Sequence, residues 1–523
     1  MEQQTIAWVA FSVYLVVTAG LAIIGYLKTD SLESFAVGKR DMGPWLVGIT
    51  MGAAMCSTAT FVINPGFVFT HGLSAFVHLG LAVGIGIALA LWLMSPRFRK
   101  VGVEGAALTL PHWIGQRYGS VALRVVFGLI SLLSIAFLVL IAGSVQILLM
   151  DTLKLSDSAA LLLTIGFVFS YILIGGTYAH TYTNSLQGVM MLLVTVAIMV
   201  KAIGALGADG FTAMLDQRDP HLLMAVNPAS PLYGDWFSVY VSGVVIGFAI
   251  VCQPHLLMKA LYLKRDEDVG RYVKITLVVT AAFFSLLLAG LAAHADLDPM
   301  TFGPEGVRQD QIMSLWLKGQ FGDVSYVLIS VALVAAGMST LDGILVAMST
   351  VMSNDVFLPV AERTFLRTHA PEARARWAFR FGQGALIAMG LVTWLILSGN
   401  PPRLLGIFGQ TGVYGIVAAA VGPILVGVAF PKRSDLRPLA LVMALTGFLV
   451  YAALNTLRYV VGRPDLADTG FVQSWRSFAE GSPDLAGLLA HANPAVPATW
   501  SILLVASIAG VWLLARGRAT SAR

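Results

Sequence analysis

Long apolar runs separated by short charged or turn-forming stretches make up most of the chain, and nowhere do apolar and polar residues alternate with period two. A hydrocarbon core requires about 20 consecutive apolar residues per spanning helix. Thirteen runs qualify, at roughly 5–27, 45–70, 74–95, 125–150, 159–178, 182–200, 236–258, 275–294, 324–350, 381–398, 404–430, 438–457 and 497–515. Only helices or closed barrels satisfy backbone polar groups in lipid, so without strand periodicity all thirteen are expected to be helical. Two runs are interrupted. The second, GITMGAAMCSTATFVINPGFVF, places small and hydroxyl residues ahead of Asn64-Pro65-Gly66; the seventh contains Gly243, Gly247 and Gln253-Pro254-His255. Broken backbone at membrane depth is tolerated only beside protein or a water-filled cavity. The interruptions lie five spans apart, the spacing of two inverted repeats that each open on a discontinuous helix; equally, Gly and Pro are common in membrane helices generally.

Composition excludes a large soluble domain: of 523 residues 57% are hydrophobic and 12% charged. The net charge of +5 sits in short loops and reads as a topology signal, with no nucleic-acid partner implied. Lys28, Lys39, Arg40, Arg97, Arg99, Lys100, Lys264, Arg265, Arg374, Arg376, Lys432, Arg433, Arg516 and Arg518 all fall on one side of the thirteen-span arrangement. The positive-inside rule then puts the N-terminus outside and the C-terminus in the cytoplasm of a cell-membrane protein. The first apolar run lacks a small-residue cleavage site and is expected to be retained. Cys56 and Cys252 lie in apolar segments and support neither a disulfide scaffold nor a thiolate metal cluster.

Chemistry concentrates in the ninth run, AAGMSTLDGILVAMSTVMSNDVF. Asp342 is read as the only Asp, Glu, Lys or Arg deep within a span, and a carboxylate there costs at least about 2.5 kcal/mol. It should face a cavity, a cation or a proton path; alternatively it is protonated and bonds a neighbouring helix. Ser339 shares its helix face at i,i+3 spacing.

Six segments in order, ESFAVGKRDMGPWLVG, PGFVFTHG, LTLPHWIGQRYGS, GGTYAHTYTNSLQG, QPHLLMKAL and AAGMSTLDG, resemble the sodium/solute symporter family, whose members include carriers of proline, pantothenate, sugars, sialic acid and monocarboxylates. The resemblance implies an all-α polytopic membrane protein of about 13 transmembrane helices. Its fold is the leucine-transporter type, a 5+5 inverted repeat with broken helices. A single transmembrane domain, 1–523, is then divided into an additional N-terminal helix and cytoplasmic loop (1–44), a first inverted repeat (45–200), a second (236–430) and two additional C-terminal helices (436–523). It also implies a sodium site of two carbonyls in the broken helix and a carbonyl plus two hydroxyls in span nine, at Ala53, Cys56, Ala336, Ser339 and Thr340. Sodium prefers hard oxygen ligands, so Cys56 acts through its carbonyl; the competing reading has Ser339 and Thr340 bonding back to their own helix. Many members carry an Asp opening the sixth span, where this chain has Asn184. The acid is inferred to have moved to Asp342, which, with Asn184, would serve a second cation or a proton; the alternative is one sodium per solute, with Asp342 structural.

For the solute, the resemblance points to Ser57 and Thr60, and to His78, which either contacts solute or is a satisfied interhelical histidine. Phe248 is either an aromatic gate or core packing. With no Arg or Lys expected in the site, a small monocarboxylate or amino acid fits better than a dianion. The expected activity is sodium-coupled symport of a small organic solute into the cell by alternating access, with sodium as co-substrate, no cofactor, and no obligatory protein partner evident beyond the lipid bilayer. Proton coupling through Asp342 is the alternative. A transporter-like sensor, which would need an appended signalling domain, and a membrane enzyme are remote ones: His112, His369 and Glu372 are scattered, and no His-Glu-x-x-His or Gly-x-Ser-x-Gly motif occurs. The polar stretch from Val461 to His491 is too long for a simple turn and receives no role beyond shielding an outer mouth.

Overall fold

The computed structural model describes residues 2–298, 309–399, 401–402, 404–463 and 466–521, and among them there is no strand, only an isolated parallel bridge between Met42 and Leu263. Among the described residues ten helices are long and apolar enough to cross a membrane, or up to twelve spans if each of two bent pairs is one. The exact count of about thirteen is not confirmed by this measure. Residues 159–200 lie in one helix, Asp157–Leu206, kinked at Gly176, of which Gly175–Leu206 counts as a span by this measure.

Each irregularity has a local cause. In the first broken span, Pro44–Met55 ends at Cys56, whose backbone is extended (φ −116°, ψ 90°), and Ala59–His71 leaves at 50°. The Ser57 hydroxyl accepts the Ala59 amide at 3.2 Å, acting as a local N-cap for the second half. The break thus falls at 56–58, not at Asn64-Pro65; the missing Pro65 N–H is instead accommodated by a π-helical turn over Ala59–Ile63. In the second broken span, Phe237–Ile250 and Pro254–Tyr262 meet at 55°. Pro254 forces Gln253 into an extended conformation (φ −68°, ψ 145°) and then opens the next half-helix from its first turn. The kink of the long helix is Gly176, at φ 54° and ψ −148°, a conformation essentially restricted to glycine. A Cβ there would stand 2.5 Å from the Phe35 ring.

These irregular elements surround one regular helix. Asp323–Val351 is buried along almost its whole length and packs against the kinked helix and the first helix, Glu2–Tyr26. Helices further out turn apolar faces outward, as at Val16, Trp92, Leu193 and Val511, the positions that meet lipid in a bilayer. The 461–491 stretch contains two short helices, Gly470–Gly481 and Pro483–Leu489, and is held by His491, whose Nε2 lies 3.2 Å from Asp235 Oδ2; residues 464 and 465 lie outside the described residues.

Candidate functional site

Three elements converge where the first span breaks. Extended backbone at Cys56 leaves the Ala53 carbonyl accepting from the Cys56 N–H at 3.3 Å. On one side this turn meets the kinked helix: Thr50 and Ser185 hydroxyls are 3.2 Å apart, and Gly188 is small enough to let Ala53 approach. On the other side Thr58 donates to the Leu333 carbonyl of the buried helix at 3.3 Å, beside Gly337, where a Cβ would collide with the Thr58 hydroxyl. One turn further along, Ser339 donates to Ala336 O at 2.8 Å and its own carbonyl accepts from Asn184 Nδ2 at 3.0 Å. Two buried oxygens at this seam have no protein partner, Thr340 Oγ1 and Asn184 Oδ1. Leaving such atoms unpaired costs about 1–3 kcal/mol each, and a hard cation among neutral oxygens removes that cost.

Beside the break is a cavity of about 110 Å³. Its wall is mostly apolar, with Val83, Phe137, Ile246 and Phe284 among the lining; Ser57, Thr60 and Asn64 reach it from the first broken span, Gln253 and His255 from the second, and Gln410 and Tyr414 from the Leu405–Ala429 helix, and among the described residues no Asp, Glu, Lys or Arg does. His255 is buried and its Nε2 has no protein partner. Ser57 and Thr60 are thus brought together with the break, whereas His78 and Phe248 do not line the cavity. His78 Nδ1 donates to the Ser238 and Val239 carbonyls at 2.8 and 3.2 Å, and its ring packs on Tyr233, so it ties two helices together. Phe248 is half-buried, and its backbone lies against Gly86 of the Val83–Glu104 helix.

Asp342 is fully buried, one turn beyond these oxygens, and does not stand alone as the sequence reading held. Its Oδ1 lies 2.7 Å from His180 Nδ1, and Thr183 donates to its Oδ2 at 3.1 Å. Lys259 Nζ lies 2.6 Å from His180 Nε2 and is itself fully buried. The reading of Asp342 as the only charge deep in a span is corrected here, because the half-helix after Pro254 is too short to carry Lys259 to a surface. Asp355, in the continuation of the Asp342 helix, is a second buried acid: Arg124 Nε bonds it at 2.7 Å and the Thr109 hydroxyl bonds its other oxygen. A usable signal for His180 was its spacing from Thr183 and Asn184, i,i+3 and i,i+4, which puts all three on one helix face.

A helical bundle with two interrupted spans beside a largely apolar cavity edged by hydroxyls and amides has the leucine-transporter type of fold. The solved structure of a Na+-coupled sialic acid symporter in its substrate-bound outward-open state has the same fold, with TM-score 0.69 and 15% identity over 96% of both chains. The chain belongs to the sodium:solute symporter family, whose model matches residues 35–447. Among its relatives, the sodium/pantothenate symporter of Haemophilus influenzae is 26% identical over 452 residues (85% of this chain, 90% of the relative). The high-affinity proline transporter PutP of Bacillus subtilis is 25% identical over 435 residues (79% and 85%). The protein is a multi-pass cell-membrane transporter, not an enzyme, and carries out sodium-coupled symport of a small organic solute.

Proposed function

We propose that sodium binds between the first break and the buried helix, on the carbonyls of Ala53, Cys56 and Ala336 and the hydroxyls of Ser339 and Thr340, and that a small monocarboxylate or amino acid occupies the adjoining cavity. The observation that carries this reading is the partnerless, fully buried Thr340 Oγ1 at the seam where these elements meet. Asn184, with a free amide oxygen beside it, completes the polar surroundings.

Solute class follows from the lining. Hydroxyls of Ser57 and Thr60 and amides of Asn64, Gln253 and Gln410 offer hydrogen bonds without a fixed charge. The N-terminal end of the Ala59–His71 half-helix opens at these residues, a favourable place for one carboxylate. A dianion would lack a cationic partner there. The pantothenate and proline carriers among the relatives handle solutes with a single carboxylate, in keeping with this lining. In this reading residues 45–200 and 236–430 are the two inverted repeats, each opened by a broken span, with 1–44 and 436–523 as additions; the basic loops face the cytoplasm, leaving the N-terminus outside.

Reconstitution in liposomes tests it: a panel of labelled monocarboxylates, amino acids and sugars is offered under an inward sodium gradient, and separately under an inward proton gradient. The expected result is sodium-driven accumulation of one monocarboxylate or amino acid, abolished by Ser57→Val. Accumulation of a sugar would overturn the solute class, and proton-driven uptake indifferent to sodium would overturn the cation site.

A further inference from the structure

Lys259, His180 and Asp342 form a buried line that sodium binding at Ser339 and Thr340 does not use. Lys259 is 0% exposed, His180 1% and Asp342 0%. Hydrogen-bond chemistry fixes the direction of the line. An ammonium can only donate, so His180 Nε2 accepts from Lys259; Nδ1 then carries the imidazole proton and donates to Asp342 Oδ1, while Thr183 donates to Oδ2. The imidazole is neutral, and the positive end at Lys259 balances the negative end at Asp342. His180 engages Oδ1, and the Thr183 hydroxyl, whose one proton is shared with the Ala179 carbonyl at 3.0 Å, lies 3.1 Å from Oδ2, so a mobile ion would have to displace one of these side chains to reach the carboxylate.

We propose that Lys259 is a tethered cation that takes the place of a second transported ion at Asp342, so that each cycle carries one sodium with the solute. This rests on the reading that the transported sodium lies at Ser339 and Thr340. It also gives Lys259 a positioning role. Lys259 sits one helical turn beyond His255, on the same half-helix whose Gln253 and His255 line the solute cavity. Any movement of that half-helix on solute binding is transmitted to the charge that holds Asp342 and, through the kinked helix, to Asn184 and the Ser339 carbonyl.

Equilibrium binding of radioactive sodium alone to the purified full-length protein, at neutral pH, separates the possibilities. The wild type and Asp342→Asn are expected to bind one sodium per chain. Lys259→Met is expected to bind two, because Asp342 has lost its tethered partner, and the charge-balanced Lys259→Met/Asp342→Asn protein to bind one again. Two sodium ions on the wild type, falling to one in Asp342→Asn, would overturn the proposal, as would a Lys259→Met protein that binds one. If Lys259→Met does not fold, Lys259→Gln, which keeps a hydrogen-bond donor without the charge, takes its place and is expected to bind two. Thr340→Val reports separately on the underlying sodium reading: it should lose the wild-type ion, and if it does not, that reading fails whatever Lys259 does.

Discussion

Replacing Thr340 by Val removes one hydroxyl and keeps the volume. In the ion-free protein that hydroxyl has no protein partner and is fully buried, so its loss removes an unsatisfied group and breaks no hydrogen bond. The sodium-free protein should be unchanged in stability or up to about 1 kcal/mol more stable. In the sodium-bound protein the same change deletes an oxygen ligand. Taking hydrogen bonds to charged groups as the guide, about 1.5–3 kcal/mol is lost, or roughly 10- to 150-fold in sodium affinity. Thermal denaturation in choline and in sodium buffers reads both quantities. At a sodium concentration 100 times the wild-type dissociation constant the ion adds about 2.7 kcal/mol of stability, and a 100-fold weaker site leaves about 0.4 kcal/mol. The expected pattern is a variant that melts with the wild type in choline and gains almost nothing from sodium. A destabilised variant in choline, or an undiminished gain from sodium, would show that Thr340 Oγ1 is a packing atom and remove it from the cation site.

Gly176→Ala should cost about 2–6 kcal/mol, combining about 1–3 for a glycine-only backbone conformation with about 1–3 for the collision with Phe35, and thermal denaturation of the detergent-solubilised protein measures it; a loss under about 0.5 kcal/mol would mean that the kink is not fixed by glycine. His112, on the Leu110–Arg117 helix outside the spans, is held at about 4 by burial first and then by Arg124 and Arg40, against an ordinary value of 6.5. The folded protein therefore keeps this ring neutral while the unfolded chain protonates, so stability falls as pH drops from about 6.5 towards 4, by at most about 1.4 kcal/mol per unit; melting curves across that range should flatten in His112→Gln, and an unchanged slope would assign the pH dependence to other groups.

Fold class was legible because it rests on long apolar runs and on two interruptions with clear backbone chemistry. Pro254 acted as its position in the sequence suggests. Pro65 did not, since the neighbouring π-helical turn absorbed it and the break moved upstream to Cys56, where small residues and the Ser57 cap make unwinding cheap. The seventh apolar run ends at residue 258, which leaves Lys259 just outside it in the sequence. A half-helix that restarts at 55° after a proline does not follow the axis of the run, and a lysine five residues on stays inside. A histidine in an apolar segment carries little signal by itself; the spacing of His180 from Thr183 and Asn184 marks a polar face, and its partners on two other elements give it a role. Ser57 and Thr60 were legible as neighbours of the break, while Gln410 and Tyr414 reach the cavity from a helix whose one other polar side chain is Thr411.

The arrangement of rigid and irregular pieces explains how a cation without a direct salt bridge to the solute can control it. Asp323–Val351 is an unbroken, buried helix and moves as a body, whereas the turn at Cys56–Thr58 is held by few bonds, among them the Thr58–Leu333 and Ala59–Ser57 hydrogen bonds. Sodium bridging Ala53 and Cys56 on the turn to Ser339 and Thr340 on the rigid helix fixes the turn in one conformation. Ser57 and Thr60, which line the solute cavity, are part of that turn or follow it directly, so the ordering cost of presenting them falls when sodium is bound. By linkage the solute must raise sodium affinity by the same factor. Coupling then needs no contact between ion and solute. It predicts that Thr58→Val, which touches neither ligand in this arrangement but loosens the turn, lowers the affinity for both together. A variant that weakened only one of them would show that ion and solute are linked through some other element.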